Sequence, residues 1–576
     1  LEREHAGGGF YCHTGIRRHK YSTTLILIYK RKSAGGDLRL SEKTYSAGKA
    51  VMAKEWEVFV GKMELEKRTI YMDRMKYKAG TQIALEDDRN LQDNKPDIAR
   101  ILGQKGYIRL EELKPAADHV TMRGKLHYKV LYQSDEEREI CSVEGSIPFE
   151  EQVHMEGIGT EELVQARWEL DDMTIGMINS RKLSVQAVAC FELFVEELYE
   201  EQVPVELMEV PAGTGIECRK KVLDMAGISV LKKDIFRIRE EMELPQSCPN
   251  IGSLIWEDIE LSNLEFKAVE EKIIVKGEAK AFFLYVPQGE DGNVQVFSTA
   301  IPISGSVECQ GCMEDLITDI RYQISQQDIE IQEDFDGERR VISLEMVLDL
   351  YIKLYKEEKT EILSDCYGLQ KEVRLERQET EYRTKMLRCG GKYRLAEEVP
   401  VEGVPGSVKL LHYQASVQKE GQTQTGEGIE ILGAVEADFL LQDEGDKKFY
   451  RLHAGIPFKY LLETSGGTAD FGNLKICLEN LTVAAAGDVW EVKGILSFEV
   501  AVFQRGKEEM IREIELCEPD AEKYKRTPGM VGYVVKSGDS LWDIGKRYMV
   551  SLDNLKEMNH LTKDEVCAGE KILIIR

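Results

Sequence analysis

Val120-Thr121-Met122-Arg123-Gly124-Lys125-Leu126-His127-Tyr128-Lys129-Val130-Leu131-Tyr132 alternates apolar and polar side chains about a central glycine. Val120, Met122, Leu126, Tyr128, Val130 and Tyr132 fall in one phase, with Thr121, Arg123, Lys125, His127 and Lys129 between them. That period of two is a half-buried strand, and a helix would not preserve it. The phase returns at Ile273, Val275, Ala279, Ala281, Phe283 and Tyr285 about Gly277, and at Ile429, Ile431, Val435, Ala437, Phe439 and Leu441 about Gly433. The stretch is one copy of a repeat, and a repeat sets the architecture.

Outward from the glycines, the landmarks keep their spacing. Each glycine stands 28 residues after a proline, at Pro96, Pro249 and Pro405, and each proline opens a segment ending in an aliphatic pair: Ile101-Leu102, Leu254-Ile255, Leu410-Leu411. An Ile-Pro dipeptide follows the glycine by 23, 24 and 23 residues, at Ile147-Pro148, Ile301-Pro302 and Ile456-Pro457. Proline donates nothing to a ladder, so this is an edge strand or a strand end. A long alternating run closes each copy: Leu183 to Leu193, Ile342 to Ile352 and Val492 to Val502. The expected fold is mainly β and multidomain, with three antiparallel sandwich-like modules of about 120 residues each. The expected divisions are an N-terminal segment and first module over 63–200, a second module over 241–361 and a third over 396–520. The intervening 201–240 and 362–395, rich in Lys, Arg and Glu, read as linkers with helical stretches, and 521–530 as a further linker.

Charge narrows the partners. The chain holds 76 Lys and Arg against 103 Asp and Glu; residues 1–62 contain 12 and 6 of these, leaving 64 against 97 for the rest. So acidic a body repels phosphate backbones and anionic lipid, and a basic protein surface is the better partner. No apolar run, Leu25 to Tyr29 included, approaches the roughly 20 residues a membrane helix needs. Its basic approach, Arg17, Arg18 and Lys20, imitates a signal peptide without a cleavage site. Twelve scattered cysteines are not a secreted disulfide framework and point to a reducing cytosol. Cys309-Gln-Gly-Cys312 lacks the second pair of a zinc ribbon and reads as a turn with two incidental thiols. No Walker loop, H-E-x-x-H or G-x-S-x-G elbow occurs, and His127 and His453 belong to strands rather than to a ligand pair. No enzyme, cofactor or metal is expected.

Residues 531–576 read differently. Val531-Gly532-Tyr533-Val534-Val535 and Lys571-Ile572-Leu573-Ile574-Ile575 are strands. Between them Ser540 or Asp539 can cap a helix carrying Leu541, Ile544 and Tyr548, and Ser551 a second carrying Leu552, Leu555 and Met558. Trp542 is either a core anchor, as its neighbours Leu541 and Ile544 favour, or an exposed stacking platform.

This βααβ unit resembles the LysM domain in its Tyr533-x-Val-x-x-Gly538-Asp539-Ser540-Leu541-Trp542-x-Ile544 opening, in Asn559, and in Gly569-Glu570-Lys571-Ile572-Leu573-Ile574. The resemblance implies a groove between two loops, here Ser537, Gly538, Asp539, Ser540 and Leu541 on one side and Asn559, His560, Leu561 and Thr562 on the other. Asp539 and Asn559 would hydrogen-bond acetamido groups of a glycan there. Three β modules followed by one LysM resemble the SipL family of spore-coat morphogenetic proteins, whose repeats are called SPOCS domains, over about 63–576. Residues 1–62 have no counterpart in that family, so they are expected to be a non-native or disordered extension ahead of a start at Met63. The resemblance implies a non-enzymatic scaffold in the mother-cell cytoplasm, at the forespore surface and in the spore coat. Its LysM would dock onto the coat-basement ATPase, stage IV sporulation protein A, while its repeats engage other coat proteins. The alternative is a cell-wall protein that binds N-acetylglucosamine glycan of peptidoglycan, which requires export.

Overall fold

All eighteen in-phase side chains of the three repeated strands are buried. A slip of one residue would bring every one of them into water, at about 1.5–3 kcal/mol for each larger apolar side chain, so the register is strongly specified. The computed structural model describes residues 61–576 except 136–138, 209, 211–213, 290–293, 401–407, 446–447, 465–468, 473, 487–488 and 519–527, together with short backbone strands between 18 and 45. The expectation for 1–62 falls largely outside the described residues, as does Pro405. The strand Gly61–Met63 runs through the expected boundary at Met63 and pairs with Ile514, Glu515 and Leu516.

Each module is a sandwich built on six main strands, to which the third adds the short strand Ala469–Phe471 beside its last strand. The first comprises β1 (Leu65–Asn90), β2 (Ile98–Ala116), β3 (His119–Ser134), β4 (Ile140–His154), β5 (Gln165–Asn179) and β6 (Lys182–Leu207). The second repeats it as β7 (Ile216–Glu243), β8 (Ile251–Val269), β9 (Lys272–Pro287), β10 (Gln295–Glu308), β11 (Ile317–Glu333) and β12 (Arg339–Gly368). The third runs β13 (Glu372–Pro400), β14 (Val408–Gln424), β15 (Gly428–Asp443), β16 (Phe449–Glu463), β17 (Lys475–Ala486) and β18 (Val489–Cys517). In every copy strands two, three and four form an antiparallel meander, and the sixth strand lies between the first and the fifth in a second sheet. The alternating runs of strands three and six face each other and make the three module cores.

The landmark glycines have a steric cause. Across from each lies a bulge in the second strand, at Leu110/Glu112, Ser262/Glu265 and Lys419/Gly421. A Cβ on Gly124 would lie 2.6 Å from the Arg109 carbonyl oxygen and 2.7 Å from the ring of Phe149, and one on Gly433 would meet the Gln418 carbonyl and Phe458 in the same way. The fourth strand, which carries the Ile-Pro, is the meander's edge.

The aliphatic pairs split between two environments. Ile101, Leu254 and Leu410 pack on their own module's core. Their neighbours Leu102, Ile255 and Leu411 sit at bulges and turn outward into a shared cluster with Leu131, Leu284 and Leu440. Equivalent positions of all three modules converge there, so the modules surround a common axis.

The segments 201–240 and 362–395 are not spacers with helical stretches: β6 continues to Leu207, β7 and β13 occupy most of the remainder, and each of these two pairs with its module's last strand over its whole length. First and last strands together form two-stranded ribbons that meet beyond the sandwiches through Ile70, Met72, Leu223, Met225, Tyr382 and Met510. Bulges at Arg219/Lys220 and Ile228/Val230 break the alternation, and the charged residues lie on the ribbons' wet face, which hid these strands in the sequence. Cys309 and Cys312 flank a turn and belong to the core of the second module. Among the described residues no cluster has the makings of a metal site, and no helix is long and apolar enough to cross a membrane.

Candidate functional site

The C-terminal unit is β19 (Met530–Val534), α1 (Leu541–Tyr548), α2 (Leu552–Asn559) and β20 (Lys571–Ile575), with the two strands antiparallel. Ser540 caps α1 in a capping box, its hydroxyl accepting from the Asp543 amide at 3.1 Å while the Asp543 carboxylate accepts from the Ser540 amide at 3.2 Å. Ser551 caps α2 through the Asn554 amide. Val535, Leu541, Ile544, Val550, Leu555, Ile572 and Ile574 fill the core.

The residues expected to line the groove divide. Leu541 is fully buried in this core and offers no binding surface. Asn559 is spent as a clip: its amide nitrogen donates to the carbonyls of Leu555 and Leu573, both at 2.8 Å, and its oxygen accepts from the Leu573 amide at 2.6 Å. Asp539 accepts from the Tyr533 hydroxyl at 2.6 Å and from the Lys536 amide at 3.0 Å, bonds that hold its carboxyl below the usual range. Neither side chain is positioned as a free partner for an acetamido group. Ser540 is occupied by the cap, and Leu561 rests on the core. Ser537, Gly538, His560 and Thr562 are the exposed members of the two loops.

Trp542 bears out burial rather than an exposed stacking platform. It is buried, but against the second module rather than in its own domain's core: its Nε1 donates to Asp365 Oδ2 at 2.7 Å and its ring stands edge-on to Tyr367, centroids 4.9 Å apart. Arg219 covers the indole at 5.3 Å. The Tyr367 hydroxyl donates to the Val550 carbonyl at 2.8 Å, passing over Gly545, where a Cβ would lie 2.6 Å from it. Asp365 also accepts from Lys546 at 2.7 Å and from Arg377 of the third module at 2.9 Å. Burial alone would raise this carboxyl, but these donors outweigh it and depress its pKa. The face of α1 is thereby committed to docking within the chain.

Another face stays open. Met530, Gly532 and Val534 share the outward side of β19 and lie opposite Ile575, Leu573 and Lys571. Met530 is 65% exposed, Val534 53% and Leu573 39%. Sequence reasoning passed over this patch, yet its signal was present: Met530-Val531-Gly532-Tyr533-Val534 has apolar residues in both phases, where a strand with one wet face should have polar ones in the second.

Comparison with known proteins finds matches within the first two modules and in the C-terminal unit. Residues 97–178 and 250–332 match the family described as SipL, SPOCS domain, and residues 533–574 match the LysM domain. Cell wall-binding protein YocH of Bacillus subtilis (strain 168) is 50% identical over 40 residues, covering 7% of this chain and 14% of that protein. No solved structure matches. The chain therefore carries SPOCS domains of the SipL type in its first two modules and a LysM domain at its end; the third module shares their strand order and landmark spacing. Both are non-catalytic domain families.

Proposed function

We propose, from SPOCS modules and a LysM domain on one chain, that this protein is a non-enzymatic spore-coat assembly adaptor whose LysM docks onto the coat-basement ATPase, stage IV sporulation protein A, at the forespore surface. The observation that carries this reading is the apolar outward face of Met530, Val534 and Leu573. Apolar surface of this kind suits a protein partner, since its burial is worth about 25 cal/mol per Å². The commitment of α1 to the second module fixes that face relative to the three-module body, as an adaptor requires.

The second reading is peptidoglycan binding, favoured by the LysM match and by the short likeness to a cell wall-binding protein. Ser537, Gly538, His560 and Thr562 would then be the contacts. The internal bonds of Asp539 and Asn559 weigh against it. Binding of the full chain to the ATPase and to purified peptidoglycan, measured side by side, separates the two: saturable binding to the ATPase supports the adaptor, and binding to peptidoglycan alone supports the wall protein.

A further inference from the structure

Where the three ribbons leave the sandwiches, a cavity of about 660 Å³ opens between the modules. Its walls carry eight Lys and Arg against five Asp and Glu, the reverse of the balance over the whole chain. The acids are already engaged. Asp73 holds Lys353 and Arg383, Glu196 holds Lys353, Glu192 holds Arg167, and Glu381 holds Arg505. Asp319 makes only a long pairing with Arg321, at 3.6 Å.

Arg321 is the exception among these groups. Its Nε and Nη1 are buried and have no hydrogen-bond partner, and the side chain lines both this cavity and the adjoining one. These two N–H groups lie on opposite sides of the guanidinium, and leaving buried donors without an acceptor is costly. Arg167 stands close enough that burial and the Arg321 charge together depress its pKa. Lys419 adds an exposed ammonium at the rim. Two neighbouring guanidiniums with a surplus of positive charge are the arrangement that binds phosphate, and the volume is that of a small-molecule site.

We infer that the cavity at the three-module junction binds a small phosphate-bearing anion, held by the Arg321 guanidinium with Arg167 and Lys419 beside it. Such a ligand would touch all three modules and hold them together.

The test is the thermal midpoint of the full chain titrated with sodium tripolyphosphate and, in a second arm, with a nucleoside triphosphate, against sodium chloride at matched ionic strength. Both arms share the phosphate chemistry; a larger effect in the second shows that the base is also read. The expected result is a saturable rise in midpoint in at least one arm. Arg321→Gln should abolish that rise while leaving the unliganded midpoint equal to or above that of the parent, because two buried N–H groups without acceptors are removed. Lys419→Gln, at an exposed position, should weaken binding several-fold without altering the fold. Absence of a saturable rise in both arms, or a rise unchanged in Arg321→Gln, overturns the proposal. So does a lowered unliganded midpoint in Arg321→Gln, which would make the residue structural.

Discussion

The indole Nε1 of Trp542 donates to Asp365 Oδ2 at 2.7 Å, fastening the C-terminal domain to the end of β12. Lys546 and Arg377 converge on the same carboxylate. Asp365→Ala leaves three donors without their acceptor at a joint of three domains. Since Lys546 and Arg377 are partly exposed, the expected loss is about 1–3 kcal/mol of docking rather than the full cost of an orphaned buried charge. Hydrogen exchange should quicken in α1 and tryptophan emission should shift to the red, while the sandwiches keep their protection. Unchanged protection of α1 would show that Asp365 does not hold the domain.

Gly433→Ala places a Cβ against the Gln418 carbonyl and the Phe458 ring. The expected destabilisation is about 1–3 kcal/mol, read as a lowered thermal midpoint. Gly176→Ala is the control, since nothing lies within 4 Å of its Cβ. Equal midpoints for the two variants would remove the steric account of the repeated glycine.

Leu131, Leu284 and Leu440 meet in the cluster shared by the three modules. Each Leu→Ala is expected to cost about 2–5 kcal/mol in urea unfolding, and the double variants should depart from additivity because the side chains share one cluster. Strict additivity would place them in separate environments.

Acid should loosen the junction. Burial would raise the carboxyls of Asp73 and Glu196, but Lys353 acts on both and Arg383 on Asp73, and the net shift is downward. With the folded pKa below the unfolded value of about 4, their stabilisation is complete above that pH and is lost as pH falls through the depressed folded values. The midpoint measured from about pH 7 to about pH 3 should fall steeply at the acid end. Asp73→Asn should lower the neutral plateau and flatten that fall; an unaltered acid slope would exclude Asp73 from the effect.

Much of this was legible in the sequence. The period of two at Val120–Tyr132 and its copies located the central strand of each meander, because a sandwich buries one face of that strand completely. Pro148, Pro302 and Pro457 marked the edges, because an edge strand can spare a donor. The ribbon strands escaped notice because a two-stranded ribbon buries only one irregular face, so Arg219-Lys220-Lys221 reads as linker. Trp542 could not be assigned from its own helix, since its partners Asp365 and Tyr367 lie more than 170 residues away. Asn559 matched a glycan-binding pattern by position, yet its bonding capacity is used by Leu555 and Leu573.

In the proposed adaptor, the open face of the C-terminal sheet, with Met530, Val534 and Leu573, is the surface that meets a protein partner. The most direct measurement is the Kd of the full chain for the coat-basement ATPase by calorimetry, for the parent and for Val534→Glu, with circular dichroism to establish that the exposed substitution leaves the fold intact. A charge at Val534 is expected to weaken binding at least tenfold, about 1.4 kcal/mol. Equal affinity of the parent and Val534→Glu, or no binding by either, would contradict the adaptor reading.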